Sequence, residues 1–365
     1  MTDGSIILHA ALIPGIGDVT IGRLVAALGT GGLADLYGFG LSDLAERVGM
    51  PLAQARLLIE GLRDRGRLER EQALLQQHGI YWSTFIDDDY PVQLRNIYAP
   101  PAVLFWRGVS PSSFSQVIAC IGSRAANRYA RSVINHLVPD LVAAGCCIAS
   151  GGALGADTMA HEAALAAAGH SVAIIGAGLL RPYPTTNKKL FDRIVDAGGT
   201  VMSPFPLEMQ AVPGNFPARN RIIAGLSRAV VVVQAAEKSG ARITALQALE
   251  QGREVCIVPG DIFDPLSAGC HRLLAEGATP VTSAADVLVA CGWSSGAERV
   301  TQAISESPGP GVISDPLLEF CREARTFDEL LVLLGCEFSE LQERLFALQI
   351  EGIVAQDFLG RWSVA

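Results

Sequence analysis

The sequence predicts an α/β fold built on an extended, Rossmann-like, doubly wound parallel sheet. Three observations carry that expectation. First, Val117-Ile-Ala-Cys-Ile121 is an unbroken apolar run that stops at Gly122-Ser123-Arg124, the pattern of a central strand covered on both faces. Second, similar short runs recur at Cys146 to Ser150, Ser171 to Gly176, Thr200 to Ser203, Ala229 to Gln234 and Glu254 to Pro259, with helical periodicity between most of them. Third, half of the 365 residues are apolar, 18% are charged and 38 are glycine, the composition of a tightly wound α/β protein rather than a disordered chain.

The chain begins with helices. Leu8, Leu12 and Ile13 precede Pro14-Gly15-Ile16-Gly17, and Ile21, Leu24, Val25 and Leu28 follow, so two amphipathic helices flank a glycine turn. This is the pattern of a helix-hairpin-helix. Its neighbouring charges, Asp18 and Arg23, make no basic surface, so it reads as a packing hairpin more than a phosphate site. Helical pattern continues from Leu41 to Leu75, which makes residues 1–75 a small helical, SAM-like module.

Residues 76–292 form the expected core with its connector. The stretch from Gly79 to Gly108 is irregular, aromatic and proline-rich, and it joins the core by a short strand at Val103-Leu104-Phe105. Asp87-Asp88-Asp89 within it reads as a solvated turn, because consecutive carboxylates do not converge on one ion without partners from elsewhere.

Nearly every core strand ends in something small or polar: Gly122-Ser123-Arg124, Ser150-Gly151-Gly152, Gly176-Ala177-Gly178, Ser203, Ser239-Gly240 and Pro259-Gly260. Together these form a rim of N–H groups and hydroxyls suited to phosphate. Two loops add what glycine cannot. Asn215 to Arg221 brings Phe216, Arg219, Asn220 and Arg221 just before a helix at Ile222 to Leu226, and Ser239-Gly240 leads to a helix at Ala245 to Gln251. Arginine forks onto phosphate, and an exposed ring gives any base a stacking face.

Charge is unevenly divided. The chain carries −9 overall, with 8 Lys+Arg against 12 Asp+Glu in residues 1–101, 15 against 13 in 102–292, and 5 against 12 in 293–365. Only the middle segment can supply a polyanion groove. From Arg124 through Arg128 and Arg131 no acid occurs until Asp140.

Residues 293–315, rich in Ser, Gly and Pro, read as a linker, and residues 316–365 as helices closed by two short strands about Gly360, the order of a winged helix. Thr326 caps one helix there, and the would-be recognition helix, Ser339 to Gln349, holds Glu340 and Glu343 against Arg344 alone. Such a surface repels phosphate, so a docking or spacing role suits it better than duplex binding.

Some functions are disfavoured. No run of eighteen apolar residues is uninterrupted and no basic-apolar leader opens the chain, so a cytoplasmic protein without a membrane partner is expected. Eight scattered cysteines without a C-x-x-C pair suggest neither zinc nor a disulfide framework. Gly176-Ala177-Gly178 lacks the remainder of a dinucleotide fingerprint, and His161 and His170, which have acid–base chemistry, read as satisfied helix histidines. No catalytic residue, metal ligand or cofactor is assigned.

An ordered set of motifs then resembles the DprA/Smf family of DNA-processing proteins over essentially the whole length. The motifs are Tyr90 to Leu94, Gly122 to Arg124, Ser150 to His161, Tyr183-Pro184 with Asn187, Phe216 to Arg221, Ser239 to Ala245 and Val258 to Gly260. The resemblance implies a non-catalytic protein that binds single-stranded DNA during natural transformation and forms homodimers. It also implies contact with RecA, which the protein loads onto DNA covered by single-strand-binding protein. Carried over by position, the DNA pocket falls on Gly122, Ser123, Arg124, Ser150, Gly151, Phe216, Arg219, Asn220, Arg221, Ser239 and Gly240. The chain departs from the family pattern at Leu154 (usually Arg), Pro204 and Gln234 (usually Glu), and His271 (usually Asn). The alternative from a different class is a Rossmann-like nucleoside-monophosphate phosphoribohydrolase, which needs a carboxylate that the Ser239 to Ala245 loop lacks.

Overall fold

The computed structural model describes residues 2–293 and, further on, 317, 320–321, 325–336, 338–350, 354–357 and 361–364. The expected linker lies outside the described residues, apart from Trp293. Two compact units divide the chain, residues 1–297 and 298–365.

The first unit opens with five helices: α1 (Asp3–Ala11), α2 (Asp18–Leu28), α3 (Leu41–Val48), α4 (Leu52–Arg63) and α5 (Arg65–His78). Gly15, at φ +88°, makes the turn between the first two. A nine-stranded sheet follows, comprising β1 (Tyr81–Thr84), β2 (Val103–Gly108), β3 (Val117–Ile121), β4 (Cys147–Ser150), β5 (Ser171–Ile174), β6 (Thr200–Ser203), β7 (Ala229–Val232), β8 (Glu254–Ile257) and β9 (Thr279–Pro280). Its order is β1-β2-β6-β5-β4-β3-β7-β8-β9.

From β6 to β9 all pairings are parallel, but β2 runs antiparallel to β6 and β1 to β2. The sheet is therefore mixed at one edge, not parallel throughout. The passage read as an irregular connector contributes β1, where Tyr81 and Trp82 pair with Trp106 and Phe105. Prolines flanking the turn obscured a strand whose own residues are aromatic and β-branched.

Alternation within β3 shows how the layers form. Val117, Ala119 and Ile121 face one apolar cluster and Ile118 and Cys120 another, as a period of two demands of a strand buried on both sides. On the first side pack α10 (Asn215–Leu226) and α11 (Gly240–Glu250); on the second, α7 (Arg128–Ala143), α8 (Ala156–Ala166) and α13 (Ala284–Ala290). Before these in the chain comes α6 (Val92–Arg95), and between them come α9 (Lys188–Asp196) and α12 (Ala268–Ala275). A third cluster joins Ile6, Leu8, Leu58 and Leu75 of the N-terminal helices to Val103, Phe105, Val201 and Phe191. The helical module and the sheet thus share one apolar core. Asp87 accepts from the N–H and hydroxyl of Thr84, which makes the acidic triplet a capped turn.

The helices α10 and α11 begin earlier than periodicity suggested. Pro217 sits in the first turn of α10, where a missing N–H costs nothing because those N–H groups have no intrahelical acceptor. Ser239 caps α11, its hydroxyl accepting from the Arg242 N–H. No described helix is long and apolar enough to cross a membrane.

In the second unit, Thr326 caps a helix at Phe327–Leu334 through a reciprocal bond with Glu329, and a second helix covers Phe338–Ile350. Strands at Val354–Gln356 and Arg361–Val364 pair antiparallel, and a third, Arg325–Thr326, pairs with the latter. Leu317, Leu330, Leu341, Leu345, Val354 and Trp362 form its core.

Candidate nucleic-acid interface

Strand order reverses between β3 and β7, because the chain winds outward from β3 to β6 and then returns to build β7, β8 and β9 on the other side. In an open α/β sheet that reversal leaves a crevice beyond the carboxyl ends of the two strands. Here it is a cleft of about 460 Å³. Gly122, Ser123, Arg124, Phe216, Arg219, Asn220, Ser239 and Gly240 all line it. Residues from three separate segments are thereby brought together.

Each wall has its own cause. Gly122 is required by packing: a Cβ there would lie 2.7 Å from the Ala156 Cβ and 3.1 Å from the Gln234 carbonyl. Arg124 is exposed, and its guanidinium lies 5.1 Å from the centre of the Phe216 ring. That arrangement holds the cation over an aromatic face at the mouth of the cleft. The first turns of α10 and α11 both line it; in α10 the Asn215 and Phe216 N–H groups already donate to the Val212 and Pro213 carbonyls and Pro217 has none, so N–H groups for a bound anion come from the start of α11. Asn220 spans the two helices, its amide donating to the Gly240 carbonyl at 3.5 Å.

Three expected residues are not part of the cleft lining. Ser150 is fully buried beneath the rim and donates to the Cys120 carbonyl at 2.7 Å. Gly151 is buried beside it, and a Cβ there would fall 2.2 Å from Arg219 Nη1 and 2.6 Å from Asp157 Oδ2. Arg221 leaves the cleft altogether and binds Asp18 together with the Ala99 carbonyl. An arginine inside a helix points where the helical phase sends it, and two residues from Arg219 that is a different face.

Arg219 lines the cleft from within the protein. Only 4% exposed, it donates to the carbonyls of Gly151 and Ile174, and its charge faces the buried Asp157 carboxyl. Burial pushes the Asp157 carboxyl up and the guanidinium down, to about 10, while each supplies the other's counter-charge. The exposed arginine at the mouth is Arg124; Arg219 is part of the floor.

Sequence reasoning missed Lys238, which lies exposed on the lining beside Ser239. A lysine immediately before a strand-end Ser-Gly was the available signal. It also left Tyr183 out of the site. That ring stands 5.9 Å from Phe216 and lines an adjoining groove of about 600 Å³ with Lys188, Arg181 and Pro182. Phe216 is the partition between cleft and groove.

A family model described as DNA recombination-mediator protein A matches residues 82–292, the segment that builds this cleft. The chain belongs to that family. It is 41% identical over 222 residues to the DNA processing protein DprA of Bacillus subtilis (strain 168), covering 60% of this chain and 74% of that one. It is 44% identical over 209 residues to the protein of the same name from Streptococcus pneumoniae (strain ATCC BAA-255 / R6), covering 56% and 72%. Among solved structures, DprA from Streptococcus pneumoniae superposes with a TM-score of 0.67 at 36% identity, over 79% of this chain and 98% of that one. A DNA processing protein A from Helicobacter pylori, described for its single-stranded DNA binding mode, gives 0.52 at 28% identity, over 57% and 94%. The recombination-mediator family therefore accounts for the Rossmann-like sheet and for the motifs that line the cleft.

Proposed function

We propose that this recombination mediator binds single-stranded DNA in the cleft between β3 and β7, protects incoming strands and loads the RecA recombinase onto them during natural transformation. One observation carries the reading: an exposed arginine poised over an aromatic ring at the mouth of a cleft lined by two helix N-termini. A phosphate can take Arg124 and the N–H groups at the start of α11 while a base meets the Phe216 ring. The H. pylori relative, described as binding single-stranded DNA, supports the same ligand here. The protein acts in the cytoplasm as a homodimer, exchanges the strand with single-strand-binding protein, and has no catalytic step. Asp157, the carboxylate of the cleft, is engaged with Arg219 and the Ala153 N–H rather than available as an acid or base.

Within this reading, residues 1–75 are a helix-hairpin-helix module, 76–292 the DNA-binding core, 293–315 a linker and 316–365 a winged helix that serves docking rather than DNA. The test is fluorescence anisotropy with labelled single-stranded and duplex oligonucleotides across a salt series. Wild type prefers the single strand. Arg124→Ala weakens binding about tenfold and lowers the salt slope by about 0.7, one single-strand phosphate contact. Equal affinity in wild type and Arg124→Ala removes the cleft from the account, and release of free base from a nucleoside monophosphate would favour the phosphoribohydrolase alternative.

A further inference from the structure

Beside the cleft stands a feature it does not use. Ile262 is 77% and Phe263 87% exposed, at adjacent positions in the loop that follows β8. Exposed apolar pairs often belong to loose loops, but this one is flanked on both sides by hydrogen-bonded residues. The Asp264 carboxylate accepts from the side-chain amides of Asn127 and Gln234 and from the Leu266 N–H. Asp261 accepts from the Phe263 N–H at 2.8 Å, Tyr129 donates its hydroxyl to the Pro259 carbonyl, and His271 bonds the Gly260 carbonyl at 3.0 Å.

Two of these braces, Gln234 and His271, are positions where the chain departs from the family pattern. A carboxylate at 234 would face that of Asp264; the amide there donates to it instead, and its oxygen accepts from the Asn127 N–H. The departures thus converge on the loop that presents Phe263.

The sheet order β3-β7-β8 sets this loop beside the one carrying Arg124, joined to it through Asn127. Asn127 caps α7, whose first two turns expose Arg128 and Arg131, neither engaged in an ion pair among the described residues. Three arginines, the half-exposed Tyr129 and Phe263 make a basic surface interleaved with rings, which is how sequence-tolerant single-strand sites are built. Asp261 and Asp264 oppose phosphate locally, but both carboxylates are already occupied as acceptors, and the arginines outnumber them.

Resting on the cleft reading above, we infer that the bound strand leaves the cleft across the first turns of α7 and stacks a base on Phe263. The test measures the affinity of the full chain for oligothymidylates about four and about twenty nucleotides long. Phe263→Ala weakens the long oligomer about tenfold and leaves the short one unchanged, while Phe263→Tyr, which keeps the ring, binds both as wild type does. Unchanged affinity of Phe263→Ala for the long oligomer overturns the inference, as does equal weakening of both lengths. A change in sedimentation mass with DNA affinity intact also overturns it, and assigns the tip to a second copy of the chain. Arg124→Ala, run in parallel, weakens both lengths. If it instead leaves the short oligomer unaffected, the cleft reading itself fails, an outcome separable from any result at position 263.

Discussion

His161 lies fully buried in α8, with Nδ1 2.7 Å from the Ser171 hydroxyl. That hydroxyl donates to the Ile148 carbonyl, so Nδ1 carries the proton, and Nε2 meets no hydrogen-bond partner among the described residues. Burial, and secondarily the Arg219 charge, pushes the imidazole from 6.5 down to about 3. The unfolded chain therefore takes up a proton that the folded one refuses. Stability from this residue is complete above about pH 6.5 and is lost as pH falls toward 3, at about 1.4 kcal/mol per pH unit. His9, lowered mainly by its burial, adds in the same direction. Chemical denaturation between pH 7 and about 5 should show that loss, and His161→Gln, which cannot take a charge, should flatten it. At the same scale, Gly151 has a packing reason to be glycine: only a missing side chain lets Arg219 and Asp157 converge there.

Among the elements, the N-terminal hairpin has the most direct tie to the core. Asp18, the first residue of α2, accepts from the Ala102 N–H at 2.9 Å and from the Arg221 guanidinium. A hairpin turn that could have offered its N–H groups to DNA presents a carboxylate to an arginine of α10 instead. Removing that arginine leaves a half-buried Asp18 without that charged partner. Arg221→Ala should cost about 2 kcal/mol in urea unfolding and leave affinity for single-stranded DNA within about twofold. A tenfold loss of affinity without loss of stability would return Arg221 to the binding surface.

For the whole molecule, charge is the property that decides. The net −9 is concentrated at the C-terminal end, where residues 298–365 hold 5 basic and 12 acidic side chains. Deleting them should raise affinity for single-stranded DNA a few-fold at low salt, with the difference fading above about 0.15 M, where the screening length is about 8 Å. Weaker binding by the truncated chain would show that the C-terminal unit holds DNA. The strands of the core were legible at this scale because a parallel sheet covered on both faces leaves long apolar runs with small residues at their ends. β1 was not, because its alternating residues lie in a segment dense with prolines and turns. Helix starts at Asn215 and Gly240 were hidden for a related reason, since first-turn residues face the cleft and carry no apolar period.

By itself the sequence determined the fold class, the strand ends that gather at one rim, and the residues of the family motifs, because burial imposes periodicity and turns demand particular residue types. Only the tertiary structure sorted those motif residues by place and partner. Arg124 and Arg219 are identical in chemistry, yet one is free at the mouth of the cleft and the other is locked to Gly151 and Ile174 behind it. Arg221, two positions on, holds a different part of the chain. Spacing along a chain states which residue types are available. Which of them meets solvent depends on the helical phase and on the partners that distant segments bring, and neither is written next to the residue itself.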